Sequence, residues 1–266
     1  MDDDGTLMRM NNWMKCAALG LTALGLVAAG CGQQTQQGEK TYKVGIVQLV
    51  EHSSLDDANR GFVDGLKERG YEEGKNLAID RQNAQADQSN LQNIVQRFIS
   101  DKVDLICAIA TPAVQSAANA TKDIPIVGTA VTDYVSAKVV ASNDAPGVNV
   151  TGTSDLAPIA EQIDLLMQLY PNAKTIGTIY SSSEINSEIQ VKAMTEYAQS
   201  KGLTVRTATI STVNDIQQAA QSMVNDVDVF YEPTDNVIAS AIPTLTSITD
   251  PAGKGVICGY VGGVTA

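Results

Sequence analysis

The chain has 266 residues, 18 Lys and Arg against 30 Asp and Glu, a formal net charge of -12 at pH 7 and 44% hydrophobic residues. This acidic balance argues against nucleic acid or an anionic lipid surface as an electrostatic partner. One histidine and four cysteines leave little material for metal or nucleophilic chemistry, and they form no metal-ligand cluster.

In chain order, a short basic patch at 8–15 ("MRMNNWMK") is followed by about fourteen small and apolar residues from Cys16 to Ala29. That layout predicts a secretory leader over 1–30, too short for a membrane span of roughly 20 apolar residues. Asp2, Asp3 and Asp4 do not suit a leader, so Met8 or Met10 is the expected start. Ala28, Ala29 and Gly30 before Cys31 resemble the cleavage box of bacterial lipoproteins, with Ala28 where a large aliphatic residue is usual. The reading makes Cys31 a lipidated N-terminus and 31–41 a flexible Gln/Thr/Gly tether. Without residues 1–30, which hold Asp2, Asp3, Asp4, Arg9 and Lys15, the chain keeps 27 acidic and 16 basic residues, net -11. With Cys16 in the leader, Cys107 and Cys258 remain, both in apolar runs, and are expected as buried free thiols.

From Lys43 onward, apolar runs alternate with amphipathic stretches. "KVGIVQLV" (43–50) predicts a strand buried on both faces. A helix follows, with Ala58, Phe62 and Leu66 on one face, Ser54 as cap and Gly70 as stop. Strand 76–80, helix 89–100, strand 103–110, a helix opened by Thr111-Pro112, strand 124–131 and a short strand 147–152 complete a first run. A second run holds helix 158–170, strand 174–180, helix 185–201 closed by Gly202, strand 203–210, helix 213–224, strand 227–233, helix 236–247 and strand 255–259. Strands alternating with helices mean βαβ units and parallel sheets. The expected class is therefore α/β, with two Rossmann-like parallel-sheet domains at 42–154 and 155–266 and a hinge crossing near 151–157.

Ligands of open parallel sheets lie beyond the carboxyl ends of the strands. The loops there are 51–56 ("EHSSLD"), 110–112 ("ATP"), 129–133 ("TAVTD"), 180–187 ("YSSSEINS") and 233–236 ("PTDN"). Their short hydroxyl, amide and carboxylate side chains suit a small polar ligand, and helix N-termini suit its carboxylate. Taken singly, Thr111, Thr234 and Asp235 are equally well explained as helix caps, Asp56-Asp57 as a first-turn pair favoured by the helix dipole, and His52 as a solvated loop residue. The five loops together exceed what capping requires. No glycine-rich phosphate loop follows any strand and no "GxSxG" exists, so nucleotide binding and serine hydrolysis lack their geometry.

Several long blocks, "IVQLVEHSSLDDANRGFVDGLKERGY", "NAQADQSNLQNIVQRFISDKVDLICAIATPAVQSAANATKDIPIV", "TAVTD", "NVTGTSDLAPIAEQIDLL" and "YEPTDNVIASAIPTL", resemble the ABC-transporter substrate-binding lipoproteins that include tryptophan and tyrosine binders of Gram-positive bacteria. The resemblance spans roughly 42–250. It implies the type I periplasmic-binding-protein clamshell, no enzymatic activity and no cofactor. It also implies a small amino acid-like solute between the domains, a membrane permease and ATPase as partners, and a lipid anchor outside the cell membrane. Carried over, the ligand-facing positions are Thr111, Thr129, Thr132 and Asp133 with Ser182, Ser183, Asn186, Asp235 and Asn236. The helix-start groups would hold a carboxylate, and Asp133 or Asp235 an amino group. A ligand sensor of the same fold and a non-functional fragment are the alternative readings. Departures are Ser53 for a proline, Gly128 for a phenylalanine-like residue, and Tyr260-Val261-Gly262 for a glutamate-bearing loop. The family's return segment to the first domain is also missing after 255–259.

Overall fold

Residues 44–48 are buried without a break inside the strand Tyr42–Gln48 (β1), and a strand buried on both faces needs neighbours on both sides and helices above and below. The computed structural model describes residues 40–264. The leader, Cys31 and all but the end of the tether lie outside the described residues.

Helix Ser53–Glu68 (α1) follows β1, then Leu77–Asn83 (β2), Gln88–Ser100 (α2), Leu105–Ile109 (β3), Thr111–Ala120 (α3), Ile126–Val131 (β4) and Val150–Ser154 (β5). These five strands form one parallel sheet in the order β2-β1-β3-β4-β5. A second series comprises Ile159–Leu169 (α4), Thr175–Ser181 (β6), Ile185–Ser200 (α5), Thr204–Ile210 (β7), Ile216–Met223 (α6), Val229–Glu232 (β8), Asn236–Ala239 (α7), Ile242–Thr249 (α8) and Val256–Cys258 (β9). Its strands form a parallel sheet in the order β7-β6-β8-β9. The chain passes between the sheets over 155–158, directly after β5.

The two sheets reuse one device at their lower edges. "VDLIC" and "VDVFY" each put an aspartate just before a central strand. Asp104 accepts the Lys43 N–H at 2.8 Å, and Asp228 accepts those of Lys174 and Thr175 at 2.7 and 2.9 Å. Each carboxylate thus fixes where its neighbouring strand begins.

Packing follows the helical and strand periods. Leu91, Val95 and Phe98 of α2 are fully buried along one stripe, and Phe98 lies so close to Gly45 that a Cβ there would sit 2.6 Å from its ring. Phe230 and Tyr231, adjacent in β8, point to opposite faces. Phe230 joins Ile216, Ala220, Ile242 and Leu245, and Tyr231 joins Ile163, Leu166, Val191 and Met194. Gly128 has a similar cause: a Cβ would meet the Tyr134 hydroxyl at 2.5 Å, so Tyr134 fills the space a large side chain would take.

Several boundaries depart from expectation for local reasons. Ser54 lies inside α1; the cap position is His52, without a side-chain bond. Thr111 is the first residue of α3 and not its cap, which is Ala110 at φ 85. The expected helix 213–224 begins as a 3-10 turn, Val213–Asp215, closed by a Thr212/Asp215 capping box. The expected helix 236–247 is broken between α7 and α8, because Pro243 has no N–H to continue it. β5 takes up 150–154, so only the end of the expected 151–157 hinge is free of strand structure. Cys107 is buried and Cys258 half-buried, both as free thiols.

The end of β8 carries a buried acid, Glu232, which accepts from the Cys258 thiol at 3.5 Å and the Tyr260 hydroxyl at 3.3 Å. Burial, and next the charge of Asp235, push its carboxyl up to about 8. Between the ordinary glutamate value of about 4.3 and about 8, the unfolded chain has released this proton and the folded chain has kept it. Stability should therefore fall as pH rises through that window and level off above it. A melting temperature followed from about pH 5 to about pH 8 is expected to decline, and Glu232→Gln to decline less steeply; equal slopes would refute this role.

Candidate functional site

Both sheets change strand order beside their first strand, between β1 and β3 and between β6 and β8, and one pocket lies beyond the carboxyl ends of β1 and β4 in the first sheet and of β6 and β8 in the second. The pocket measures about 390 Å³ including its open mouth. His52, Ser54, Leu55, Ala130, Thr132 and Asp155 line it from the first sheet's side; Asn186, Thr234, Asp235, Asn236, Ala239 and Tyr260 line it from the second.

On the first side, Gln48 ends β1 by donating to Val50 O at 2.9 Å and to Asp56 at 2.7 Å, and it accepts from Asn59. This locks the first turn of α1 and carries His52 and Ser54 to the pocket. The β4 end is shaped by a register shift between Gly128 and Val131, with Ala130 at φ 54. Ala110, at the end of β3, has φ 85. Left-handed alanines cost of order 1–3 kcal/mol each, and such strain clusters at binding sites. Here the shift re-aims Thr132 into the pocket.

On the second side, the loops after β6 and β8 are held by two buried carboxylates. Asp235 accepts the Ser181 N–H at 2.7 Å and caps α7 through the Ile238 N–H at 2.9 Å. Glu184 accepts the Asn186 amide at 3.0 Å, the Val237 N–H at 2.9 Å and the Asn236 amide. Burial raises both carboxyls above their ordinary range, and for Glu184 the charge of Asp235 adds to it. The two sides meet across the pocket. His52 Nε2 lies 3.2 Å from Asn236 Oδ1, the Thr132 and Thr234 hydroxyls are 3.5 Å apart, and buried Gln190 donates to both threonines. Burial lowers the pKa of His52, so its ring is neutral at neutral pH.

Of the nine expected ligand positions, Thr132, Asn186, Asp235 and Asn236 line the pocket, and five do not. Both Asp133 oxygens are engaged, accepting the Ser136 N–H at 2.6 Å and the Asn143 amide at 2.9 Å, which lowers its pKa and makes it a turn residue. Ser182 and Ser183 are exposed, the first donating to Ile210 O and the second bonded to Ser181. Thr129 faces Thr153 at 3.4 Å. Thr111 is buried with an unpartnered hydroxyl, but outside the lining. His52, Ser54, Asp155, Thr234 and Tyr260 were not among the nine. Asp155 stands at the rim where the chain crosses between sheets, a place that reads in sequence only as a linker; the residue as a whole is exposed, but its carboxyl is turned in beside Thr132 and burial raises its pKa. Among the described residues, no lysine or arginine lines the pocket and no group of three or more His, Cys, Asp or Glu could hold a metal.

The model of a known family, described as ABC transporter substrate binding protein, matches residues 43–264. A tyrosine-binding protein of Clostridioides difficile (strain R20291) is 46% identical over 228 residues, 86% of this chain and 66% of that protein, so the chain spans just under two thirds of its length. A Streptococcus pneumonia ABC domain solved in complex with L-Trp is 40% identical with a TM-score of 0.82, over 85% of this chain and 76% of that one. A ligand-free, open substrate binding protein with adhesive properties from Clostridium difficile is 46% identical, yet its TM-score is 0.59, over 84% and 76%. Of these two, the nearer sequence is the less similar in shape. The fold is the type I periplasmic-binding-protein fold, and the chain belongs to the ABC transporter substrate binding protein family.

Proposed function

We propose that the chain is the extracytoplasmic solute-binding component of an ABC importer and that it captures an amino acid, aromatic ones included, in the pocket between its two sheets. The observation that carries this reading is the pocket itself. Short hydroxyl, amide and carboxylate groups gather around Leu55, Ala130, Ala239 and the Tyr260 ring, at the carboxyl ends of two parallel sheets. The kinship with tyrosine- and tryptophan-binding relatives supports it. The pocket is rich in acceptors and lacks a basic lining residue, which suits a ligand ammonium. The first turn of α1, with Ser54, offers N–H and O–H groups for its carboxylate.

In this account residues 42–154 and 155–266 act as two domains hinged at the crossing after β5, and closure over the solute presents a surface to the permease and its ATPase. The leader 1–30 directs export, and acylated Cys31 with the 31–41 tether holds the protein at the outer face of the membrane. Two acyl chains give stable anchoring, whereas one binds only marginally.

Three outcomes follow. A thermal melt of the chain from Gly32, run against the free amino acids, should shift upward with one solute class, since a ligand of the folded state raises the midpoint; no shift with any would sink the reading. Asp155→Asn removes the rim carboxyl at nearly constant shape and keeps an oxygen that can accept from Thr132. It should weaken the best amino acid about tenfold, or about 1.4 kcal/mol, while the ligand-free melting temperature holds; an unchanged affinity would remove Asp155 from the site. In cells fed labelled palmitate, the wild type should carry label in the membrane fraction and Cys31→Ser should carry none. Equal labelling would exclude Cys31 as the anchor.

A further inference from the structure

Two buried polar atoms of the pocket lining have no hydrogen-bond partner: Asn186 Oδ1 and His52 Nδ1. Buried polar atoms are rarely left unpaired, so both call for an explanation. What each atom can do depends on how the amides and the ring are oriented, and the hydrogen-bond network decides that.

Asn186 is 3% exposed, and its Nδ2 donates to Glu184 Oε2 at 3.0 Å and to Thr234 O at 3.0 Å. Both partners are acceptors, so the free atom is the amide oxygen. The Nδ2 of Asn236 also donates to Glu184 Oε2, so the atom Asn236 turns to His52 is its oxygen. An oxygen there requires a hydrogen on His52 Nε2. In a neutral ring the other nitrogen, Nδ1, then carries a lone pair. The third Glu184 contact is the Val237 N–H at 2.9 Å; burial raises the Glu184 carboxyl, but three N–H donors converge on its two oxygens and favour the carboxylate over a protonated acid that would have to donate there.

Resting on the amino acid-binding reading above, we infer that Glu184 is the positioning residue of the pocket: by accepting both asparagine amides it makes Asn186 Oδ1 and His52 Nδ1 acceptors for the primary ammonium of the solute. Glu184 itself does not line the pocket; it acts through residues that do. The ligand class is an unsubstituted primary ammonium, and a des-amino analogue would leave both acceptors unpaired.

Glu184→Gln inverts the pattern in a definite way. The Val237 N–H cannot turn, so it keeps the carbonyl oxygen of the new side chain, and the new NH2 meets the two asparagine amides. The Asn236 amide must then turn its oxygen inward and present NH2 to His52, whose hydrogen moves from Nε2 to Nδ1. Asn186 keeps its orientation, because its Nδ2 also donates to Thr234 O, which would otherwise face an oxygen.

Because the chain has a single histidine, nitrogen NMR of its imidazole reads the tautomer without ambiguity. The wild type should show the Nε2–H form and Glu184→Gln the Nδ1–H form. Glu184→Gln combined with Asn236→Asp should show the Nε2–H form again, since a carboxylate in place of the Asn236 amide accepts from both sides. A folded Glu184→Gln that keeps the Nε2–H form overturns the inference. So does a wild-type ring that is Nδ1–H or doubly protonated at neutral pH, which needs no variant to fold. In calorimetry, Glu184→Gln should weaken L-tyrosine at least tenfold relative to 3-(4-hydroxyphenyl)propionate; equal losses for the two would mean a merely structural role. If neither compound binds the wild type, tyrosine is not the solute and the same comparison is read on the amino acid that most raises the melting temperature and its des-amino analogue, while the tautomer still decides whether Glu184 sets the pattern.

Discussion

Two carboxylates buried side by side at the end of the second sheet, Glu184 and Asp235, hold the rest of the site in place. Neither is matched by a basic side chain; each is compensated by N–H groups. Burying a carboxylate without such compensation is costly, so the loops that supply the N–H groups have little freedom to rearrange. Asp235 ties the end of β6 to the start of α7, and Glu184 ties the start of α5 to the start of α7. The loops after β6 and β8, separate in sequence by about fifty residues, thereby become one rigid wall.

The opposite wall is built by strain and by a buried amide. Gln48 fixes the start of α1, and the left-handed alanines at the ends of β3 and β4 bend the backbone where the pocket needs it. Among the described residues, the side-chain hydrogen bonds that cross the gap join neutral groups: an imidazole, amides and threonine hydroxyls. Such contacts are each worth about 0.5–1.5 kcal/mol net. A handful can hold the arrangement without locking it.

The alternation of apolar runs and amphipathic helices was legible from Lys43 to Gly259, and every strand and helix expected there has a counterpart, with helix 236–247 divided in two. Pro243 could have forecast that break. The site was less legible. Thr132, Asn186, Asp235 and Asn236 follow from the rule that ligands lie beyond strand ends, yet the same rule drew in Ser182 and Ser183, which are exposed. Composition along a loop does not tell which side chains turn inward. Asp133 looked like a ligand partner and is a turn residue, because its bonds to Ser136 and Asn143 depend on a path that no local pattern encodes. Asp155 was hidden by its place in a linker. Glu184 lay within the quoted "SSSEINS", but its role depends on Asn236, a contact that appears only when two loops are brought together.

In the proposed function, a solute bound between the two sheets draws them together. Small-angle X-ray scattering tests it most directly, comparing the chain from Gly32 alone and saturated with the amino acid that raises its melting temperature most. The account predicts a smaller radius of gyration with the solute bound. A radius that is unchanged or larger on saturation would contradict it.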